Sequence, residues 1–417
     1  MNILKSIGKV RDLTINTKPS TDGKTRAKAT VIDINKKKIL FPRKIIHSSA
    51  NNLDEISLFR KEFDIPTVTE IMVQITPKRL KEIIADPREH QKVKDNIKTI
   101  ISETDQKGLN IGYPFLINQR SPGESKEHFE PFGKPTQKMI EKIFDLFDVE
   151  HMDGLIFPVP SPNGNSYEWG RLSADIFTKR KPDFMNEVIF SGMVPIGNPK
   201  TDLKSLINYY LEHGLHSLTF DFCGRKVLES NMRELIDDVG DKWKDLYVHG
   251  TNVPSNNFLG TFREPALASY DLLVSVYGFD SFGNIVKGVQ SDLPEKDEIK
   301  TKMRRKRFRI TDTYGDYNYD GLKMLSEHED LKCDSPVWKT NNPLDIYDDK
   351  TISLTSFKQL SNELRSHRSY VTHKEINNYN KLIETNKYLV HIESKKDASK
   401  ELDSILTRMN IRKLNNF

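Results

Sequence analysis

The chain has 417 residues, and its 64 lysines and arginines against 59 aspartates and glutamates leave a mild net charge of +5. This balance argues only weakly for a polyanionic partner, so local clusters of charge carry more information. No stretch approaches the roughly 18 uninterrupted apolar residues of a membrane-spanning helix, and the first residues lack an apolar signal core. We expect a cytoplasmic protein that does not enter a membrane.

The chain has two cysteines, Cys223 and Cys333. Two thiols cannot form a disulfide framework, and alone they cannot supply a four-thiolate metal site. We expect both to be reduced. The sequence identifies no partner base for Cys223, and small buried thiols are common. Thiol chemistry is therefore not predicted.

Between residues 38 and 290, short β-branched or aromatic runs alternate with charged stretches of helical length, as βα units do. The predicted strands are Ile39–Phe41, Thr69–Ile75, Tyr113–Ile117, Gly154–Val159, Glu187–Met193, Ser217–Phe222, Leu246–His249 and Leu272–Tyr277. Amphipathic stretches such as Asp202–His213 lie between them and predict helices outside the strands. The pattern predicts an α/β fold, a (β/α)8 TIM-type barrel over residues 38–290.

Three further regions flank the predicted barrel. Residues 1–37 form an N-terminal extension, and residues 291–320 form a polar excursion with the basic run KTKMRRKRFR at Lys300–Arg309. A loop or β-ribbon is favoured there over a helix. Residues 321–417 are predicted to form a helical appendage. Its clearest predicted helices are Ser361–His367, Lys374–Glu384 and Ala398–Met409.

The basic run has features of a nucleic-acid contact. Its arginines outnumber its lysines, Phe308 lies within it, and Tyr314, Tyr317 and Tyr319 follow. Arginine suits phosphate contacts, and aromatic rings suit base stacking. The residues predicted to bind nucleic acid are Arg304, Arg305, Lys306, Arg307 and Arg309. The alternative is that the run is a solvated charged face.

In barrels of this type the chemistry lies at the C-terminal ends of the strands. Asp221 and Asp280 stand at predicted strand ends and are the candidate catalytic carboxylates, while His249 is placed to touch a ligand. Each residue has a structural alternative. An aspartate at such a position often bonds to backbone N–H groups of the next turn, and a strand-end histidine is often a packing residue.

Four stretches, in this order, resemble the tRNA-guanine transglycosylases, particularly the archaeal-type members and the relatives that place 7-deazaguanine bases in DNA. IFSGMVPIG at Ile189–Gly197 resembles the strand before the family's Gln-Gly-Gly loop. LYVHGTNVPS at Leu246–Ser255 resembles the strand ending in Gly-x-Gly-x-Pro. YDLLVSVYGFDSFG at Tyr270–Gly283 resembles the stretch ending in Asp-x-Phe-Asp. LKCDSPVWK at Leu331–Lys339, with SHRSY at Ser366–Tyr370, resembles the zinc stretch and its distant histidine.

The resemblance implies a base-exchange site with altered catalytic positions. Family members use one aspartate to form a covalent glycosyl intermediate and a second to handle protons. Gly283 occupies the position of the nucleophile, although the first aspartate of that motif is kept as Asp280. Asn118 stands where the second catalytic aspartate is expected, and an amide cannot take a proton as a carboxylate does. Asp221 could substitute for the missing nucleophile.

The resemblance also implies a base pocket and a metal site. The predicted base-binding residues are Asn118, Ser191, Gly192, His249 and Gly250. The zinc positions are occupied by Cys333, Ser335, Trp338 and His367. Because serine and tryptophan are not ordinary zinc ligands, we expect no zinc or other metal.

The sequence therefore predicts a divergent member of this family that acts on or with guanine-containing nucleic acid, either tRNA or DNA. An active chain would exchange 7-deazaguanine bases without a cofactor beyond the incoming base. Because the nucleophile position is a glycine, we expect the isolated chain to exchange no guanine and to be a non-catalytic partner of a homologous transglycosylase. The alternative is an unrelated barrel enzyme acting on a small phosphorylated substrate, which needs a phosphate-binding glycine loop after strands seven and eight.

Overall fold

The structure is a computed structural model that describes most of the chain. The described residues are 13–22, 24–48, 66–104, 107–118, 130–160, 165–180, 184, 187–223, 232–255, 264, 266–284, 298–328, 344 and 354–414. Among them no helix is both long enough and apolar enough to cross a membrane.

The chain begins with a three-stranded antiparallel sheet made of β1 (Thr14–Pro19), β2 (Lys28–Ile34) and β3 (Lys37–Phe41), in that order. Asn35 and Lys36, which join β2 to β3, both have positive φ, as a two-residue hairpin with the right-handed twist of its strands requires. The expectation that Ile39–Phe41 opens the barrel is wrong. These residues pair with β2, and the sheet crosses the predicted boundary at residue 37.

The next strands form a parallel barrel, which confirms the predicted fold class. Its strands are β4 (Arg43–Lys44), β5 (Ile46–Ser48), β6 (Val68–Ile75), β7 (Leu109–Leu116), β8 (Gly154–Ile156), β9 (Ile189–Pro195), β10 (Ser217–Asp221), β11 (Tyr247–Val253) and, after β12 (Ala266–Ala268) in another sheet, β13 (Ser281–Asn284). Only Ile45 separates β4 from β5. Strand β4 pairs with β13, and β5 pairs with β6. These two segments therefore act as one interrupted strand that closes the sheet into a barrel.

The last barrel strand differs from the prediction. The apolar run Leu272–Tyr277 lies in a 3-10 helix over Tyr270–Tyr277, and Gly278, at φ 85°, ends that helix. The barrel strand is β13, which begins only at Ser281. A short apolar run does not distinguish a buried strand from a buried helix, and here the helical alternative forms.

Helices surround the barrel. They are α1 (Pro77–Ala85), α2 (Pro87–Glu103), α3 (Gln137–Phe147), α4 (Ser166–Arg180), α5 (Lys200–Glu212) and α6 (Met232–Val239), with a 3-10 helix at Gly240–Asp245. Local sequence explains where α1 and α2 start. Thr76 and Asp86 accept hydrogen bonds from the first-turn N–H groups, and a proline follows each at the first helical position.

The N-terminal sheet packs against the N-terminal ends of the barrel strands. Lys28 of β2 lies 3.0 Å from Asp280, with both side chains fully buried. Asp280 also accepts hydrogen bonds from the Thr30 hydroxyl and from the Val248 N–H. Lys37 of β3 contacts Asp153, which precedes β8, at 2.6 Å. Buried ion pairs therefore join the sheet to one end of the barrel.

The predicted basic excursion and helical appendage share one small apolar core, which includes Phe308, Leu322 and Leu364. Their elements are α7 (Ile299–Arg304), β14 (Phe308–Ile310), β15 (Gly315–Tyr317), α8 (Tyr319–Ser326), α9 (Leu354–Asn377), α10 (Tyr379–Glu384), α11 (Tyr388–Glu393) and α12 (Ser399–Leu414). Strands β12, β15 and β14 form an antiparallel sheet in that order. The basic run is thus part helix and part β-ribbon.

His367 of α9, the expected remnant of a zinc site, is buried against this ribbon. Its Nε2 lies 2.9 Å from the carbonyl oxygen of Arg309, and its ring stacks on Phe308 at 4.1 Å. Burial lowers the pKa of His367 to about 4. Cys333, Ser335 and Trp338 lie outside the described residues.

The lowered pKa of His367 should make stability depend on pH. Between about pH 6.5 and pH 4 the unfolded chain takes up a proton that the folded chain refuses, so stability is lost as the pH falls. The buried His373, whose pKa burial also lowers, acts in the same direction. His367→Gln keeps an N–H donor but removes the titrating group. Urea unfolding between pH 4 and pH 6.5 should then show a free energy of unfolding that depends less steeply on pH, by about 1.4 kcal/mol per pH unit. If the free energy of unfolding depended on pH as steeply in the variant as in the wild type, the lowered pKa of His367 would be contradicted.

Candidate functional site in the barrel lumen

The lumen of the barrel is polar at strands β10, β11 and β13. The register aligns Thr219 with His249, and His249 with Ser281, so these side chains lie on the same face of the sheet. All three are buried. Because TIM barrels usually fill this space with branched apolar side chains, buried polar groups here need partners or a ligand.

Asp221 ends β10 and is held through one carboxylate oxygen. Its Oδ1 accepts from the Cys223 N–H at 2.9 Å and from the Asn252 side-chain amide at 2.8 Å. Both donors belong to residues with positive φ, 49° at Cys223 and 53° at Asn252, a conformation that is uncommon outside glycine and is frequent at functional sites. The other oxygen, Oδ2, is buried without a hydrogen-bond partner among the described residues.

Glu70, the third residue of β6, supplies a second buried carboxylate. Its Oε1 accepts from the Thr251 hydroxyl at 3.2 Å and lies 3.8 Å from Nε2 of His249. Strand β6 is not a neighbour of β11 in the sheet, so these contacts cross the lumen. The two carboxylates and the histidine are all fully buried.

Both carboxylates affect the pKa of Tyr113, on β7. Burial, followed by the charges of Asp221 and Glu70, raises the pKa of Tyr113 well above its usual range. The side chain therefore stays a neutral phenol with a hydrogen to donate. The lumen combines carboxylates that accept hydrogen bonds and can take protons with a phenol that donates one.

Ser191 contributes to another part of the lumen. Its hydroxyl bonds to those of Thr219 and Ser217 at 2.7 and 2.8 Å. It lies within β9, four residues before the strand ends at Pro195. These three hydroxyls satisfy one another.

Both predicted base-binding glycines face away from the lumen. A side-chain carbon at Gly192 would lie 2.3 Å from the ring of Tyr210 on α5, and one at Gly250 would meet Phe222 and Phe279. These glycines therefore allow close packing outside the barrel. A side chain placed at either position would point away from a base in the lumen. Asn118, after β7, accepts the Phe132 N–H through its amide oxygen at 2.8 Å.

Asp280 does not lie at the catalytic end of the barrel. It directly precedes β13 and is bonded to Lys28, Thr30 and Val248, so its predicted strand-end position is wrong. Gly283, the position that the resemblance gives to the nucleophile, lies within β13, two residues after Ser281. Its place on the lumen face follows from the alternation of side chains along a strand.

The predicted nucleic-acid residues divide by burial. Arg309 is fully buried between Asp271 and Asp316, at 2.8 and 3.0 Å, so its prediction as a phosphate contact is wrong. Arg307 donates to the carbonyl oxygens of Glu264 and Asp316, and Lys306 is half-buried. The side chains of Arg304 and Arg305 are exposed.

Most aromatic residues of this region are not free to stack on a base. Tyr314 and Tyr317 are buried, and their hydroxyls bond to Glu375 and Asp397. The ring of Tyr319 is covered by the guanidinium of Arg304, 4.6 Å from its centroid. The stacking role predicted for Tyr314 and Tyr317 is therefore wrong, whereas that of Tyr319, which is half-buried, stays a prediction.

Sequence reasoning missed Glu70 and Tyr113, although both lie in predicted strands. A signal for Glu70 was present, because a single carboxylate within the apolar run of β6 must be paired or functional when it is buried. Tyr113 carried no such signal, since tyrosine is common in strands. Among the described residues, no group of three or more histidine, cysteine, aspartate and glutamate side chains is placed to hold a metal ion.

Neither the comparison with protein-family models nor the comparison with curated proteins gives a match to this chain.

Proposed function

We propose that this chain is a divergent relative of the guanine transglycosylases whose barrel lumen binds a guanine-type base, either in tRNA or DNA or as the free 7-deazaguanine that replaces it. The observation that carries the proposal is the buried Asp221, with one oxygen held by two N–H donors and the other without a described partner. An ionised carboxylate only accepts hydrogen bonds. Oδ2 therefore suits a ligand that offers N–H groups or an electrophilic carbon, and a guanine nucleoside offers both.

With a nucleoside, Asp221 suits a reacting role better than two-point recognition of a base edge, whereas a free base can give Oδ2 a single hydrogen bond. Two-point recognition uses both carboxylate oxygens, but Oδ1 is already occupied. Oδ2 is the oxygen that can attack an anomeric carbon while Oδ1 stays fixed. In such an exchange, a bond from Oδ2 to the sugar forms as the bond to guanine breaks, and the incoming base then displaces Asp221.

The charge of the lumen disfavours the alternative of a small phosphorylated substrate. Asp221 and Glu70 are both buried in the lumen, and two carboxylates repel a phosphate in a region of low dielectric. The described hydrogen-bond partners of Asp221 are uncharged N–H groups. A neutral base, unlike a phosphate, gains hydrogen bonds from such a site.

The test is transfer of labelled guanine into tRNA and into DNA, measured with the wild type and with Asp221→Asn. Exchange that falls at least about 100-fold in the variant would support Asp221 as the nucleophile. The matched control is Asp153→Asn, the same change in a buried aspartate at the opposite end of the barrel, which should keep its activity. Saturable binding of the base without exchange would support the non-catalytic partner. Neither exchange nor binding would overturn the proposal.

A further inference from the structure

A chain of three buried hydroxyl and imidazole groups links β11 to β13. The hydroxyl of Tyr247 lies 2.6 Å from Oγ of Ser281, and the same Oγ lies 3.0 Å from Nδ1 of His249. All three residues are at most 2% exposed. The order of hydrogens along this chain determines which nitrogen of His249 carries a proton.

The hydrogen of Tyr247 determines which group donates and which accepts in each of these two hydrogen bonds. Burial raises the pKa of Tyr247, so the phenol keeps its hydrogen. Among the described residues its hydroxyl has one partner, Oγ of Ser281, which must accept that hydrogen. Serine has a single hydrogen of its own, and among the described residues Nδ1 of His249 is the one acceptor left for it. The serine oxygen could accept from both Tyr247 and a protonated Nδ1, but the serine hydrogen would then be buried without a described acceptor, which is unfavourable. The reverse order would bury the tyrosine hydrogen without an acceptor, which is unfavourable.

Nδ1 of His249 is therefore the acceptor, and Nε2 carries the proton in the neutral ring. Nε2 is buried without a hydrogen-bond partner among the described residues. Its nearest charged neighbour is Oε1 of Glu70 at 3.8 Å, which is beyond hydrogen-bond length. This N–H donor thus projects across the lumen, beside one carboxylate and on the strand next to the one that carries Asp221.

We infer that His249, held in this tautomer by Tyr247 and Ser281, is a specificity-determining donor for an oxo group on the base that occupies the lumen. The inference rests on the proposed function for the identity of the ligand as a base. A 6-oxopurine such as guanine has an acceptor for the Nε2 hydrogen. A 6-aminopurine presents an N–H group at that position and leaves the His249 donor unpaired. Tyr247 and Ser281 are positioning residues that act through His249.

The first test is the tautomer itself, read from long-range proton–nitrogen NMR spectra of the full chain with 15N-labelled histidine. The resonances of His249 are assigned by their loss in His249→Gln. We expect a protonated Nε2 and an unprotonated Nδ1 in the wild type. Ser281→Ala should remove this preference. A wild-type Nδ1–H tautomer would overturn the inference, whatever the protein binds.

The second test compares guanine with 2,6-diaminopurine, which carries an amino group in place of the oxo group and an unprotonated N1 in place of N1–H. The wild type should bind guanine at least about tenfold more tightly, because the amino group leaves the donor unpaired. In Ser281→Ala the preference should fall below about threefold, while Ser173→Ala, a buried serine on α4 that bonds to a helix carbonyl, should keep it. Equal affinity of the wild type for both bases would overturn the role of His249. Binding of neither base would instead defeat the proposed function, and the NMR result would be unaffected.

Discussion

Arg309→Met should lower the free energy of unfolding by about 3–5 kcal/mol, because it leaves Asp271 buried without its cation and leaves Asp316 with only the more distant Arg368, at 3.8 Å. The guanidinium of Arg309 bonds to Asp271 and Asp316, and it also donates to the hydroxyl of Thr372. These partners lie on the 3-10 helix before β13, on β15 and on α9, so a single side chain joins three elements. Methionine has a similar length but supplies no hydrogen bond.

The control for Arg309 is the same substitution at an exposed arginine of the same run. Arg305→Met should change stability by no more than about 0.5 kcal/mol. Urea unfolding of both variants measures the difference. If Arg309→Met were as stable as the wild type but lost affinity for nucleic acid, Arg309 would be a phosphate contact as first predicted, and its buried ion pairs would be wrong.

Lys28→Met should destabilise the fold by a similar amount, about 3–5 kcal/mol, because the carboxylate of Asp280 would stay buried without its ammonium partner. Lys28 also donates to the carbonyl oxygens of Trp243 and Leu246. These contacts attach β2 to the N-terminal end of the barrel. Loss of the pair therefore weakens the attachment of the whole N-terminal sheet.

Two comparisons separate this effect from a loss of surface charge. Lys24→Met removes a lysine that is more than half exposed and should change stability by at most about 0.5 kcal/mol. Adding Asp280→Asn to Lys28→Met removes the unpaired charge and should recover part of the loss. A Lys28→Met variant as stable as Lys24→Met in thermal or urea unfolding would show that the ion pair contributes nothing.

Local sequence predicted the barrel because most of its strands are short apolar runs between helical stretches. It failed where the strand carries charge. Arg43 and Lys44 in β4 do not resemble a buried strand, and their partners Asn377 and Ser369 come from α9, more than 300 residues later. Ile39–Phe41, an apolar run nearby, fits the pattern of a buried strand better. A contact so distant in sequence cannot be read from composition or spacing.

The sequence also predicted only part of the candidate site. Asp221 and His249 follow or lie in predicted strands, so their place in the lumen could be expected. The donors that hold Asp221 depend on positive φ at Cys223 and Asn252, which neither residue type requires. Arg309 appeared to be a surface charge because Asp271 lies 38 residues before it in the chain. Burial and pairing of a charged residue depend on tertiary contacts that a basic run does not encode.

Binding of guanine to the purified chain, followed by isothermal titration calorimetry with the wild type and Asp221→Asn, tests the central claim most directly. Thermal unfolding and binding by Asp153→Asn serve as controls for the fold. We expect one saturable site in the wild type, an affinity at least about tenfold weaker in Asp221→Asn because a hydrogen bond to a charged group is lost, and wild-type affinity in Asp153→Asn. Absence of binding by the wild type, or equal binding by Asp221→Asn, would contradict a base site in the barrel lumen.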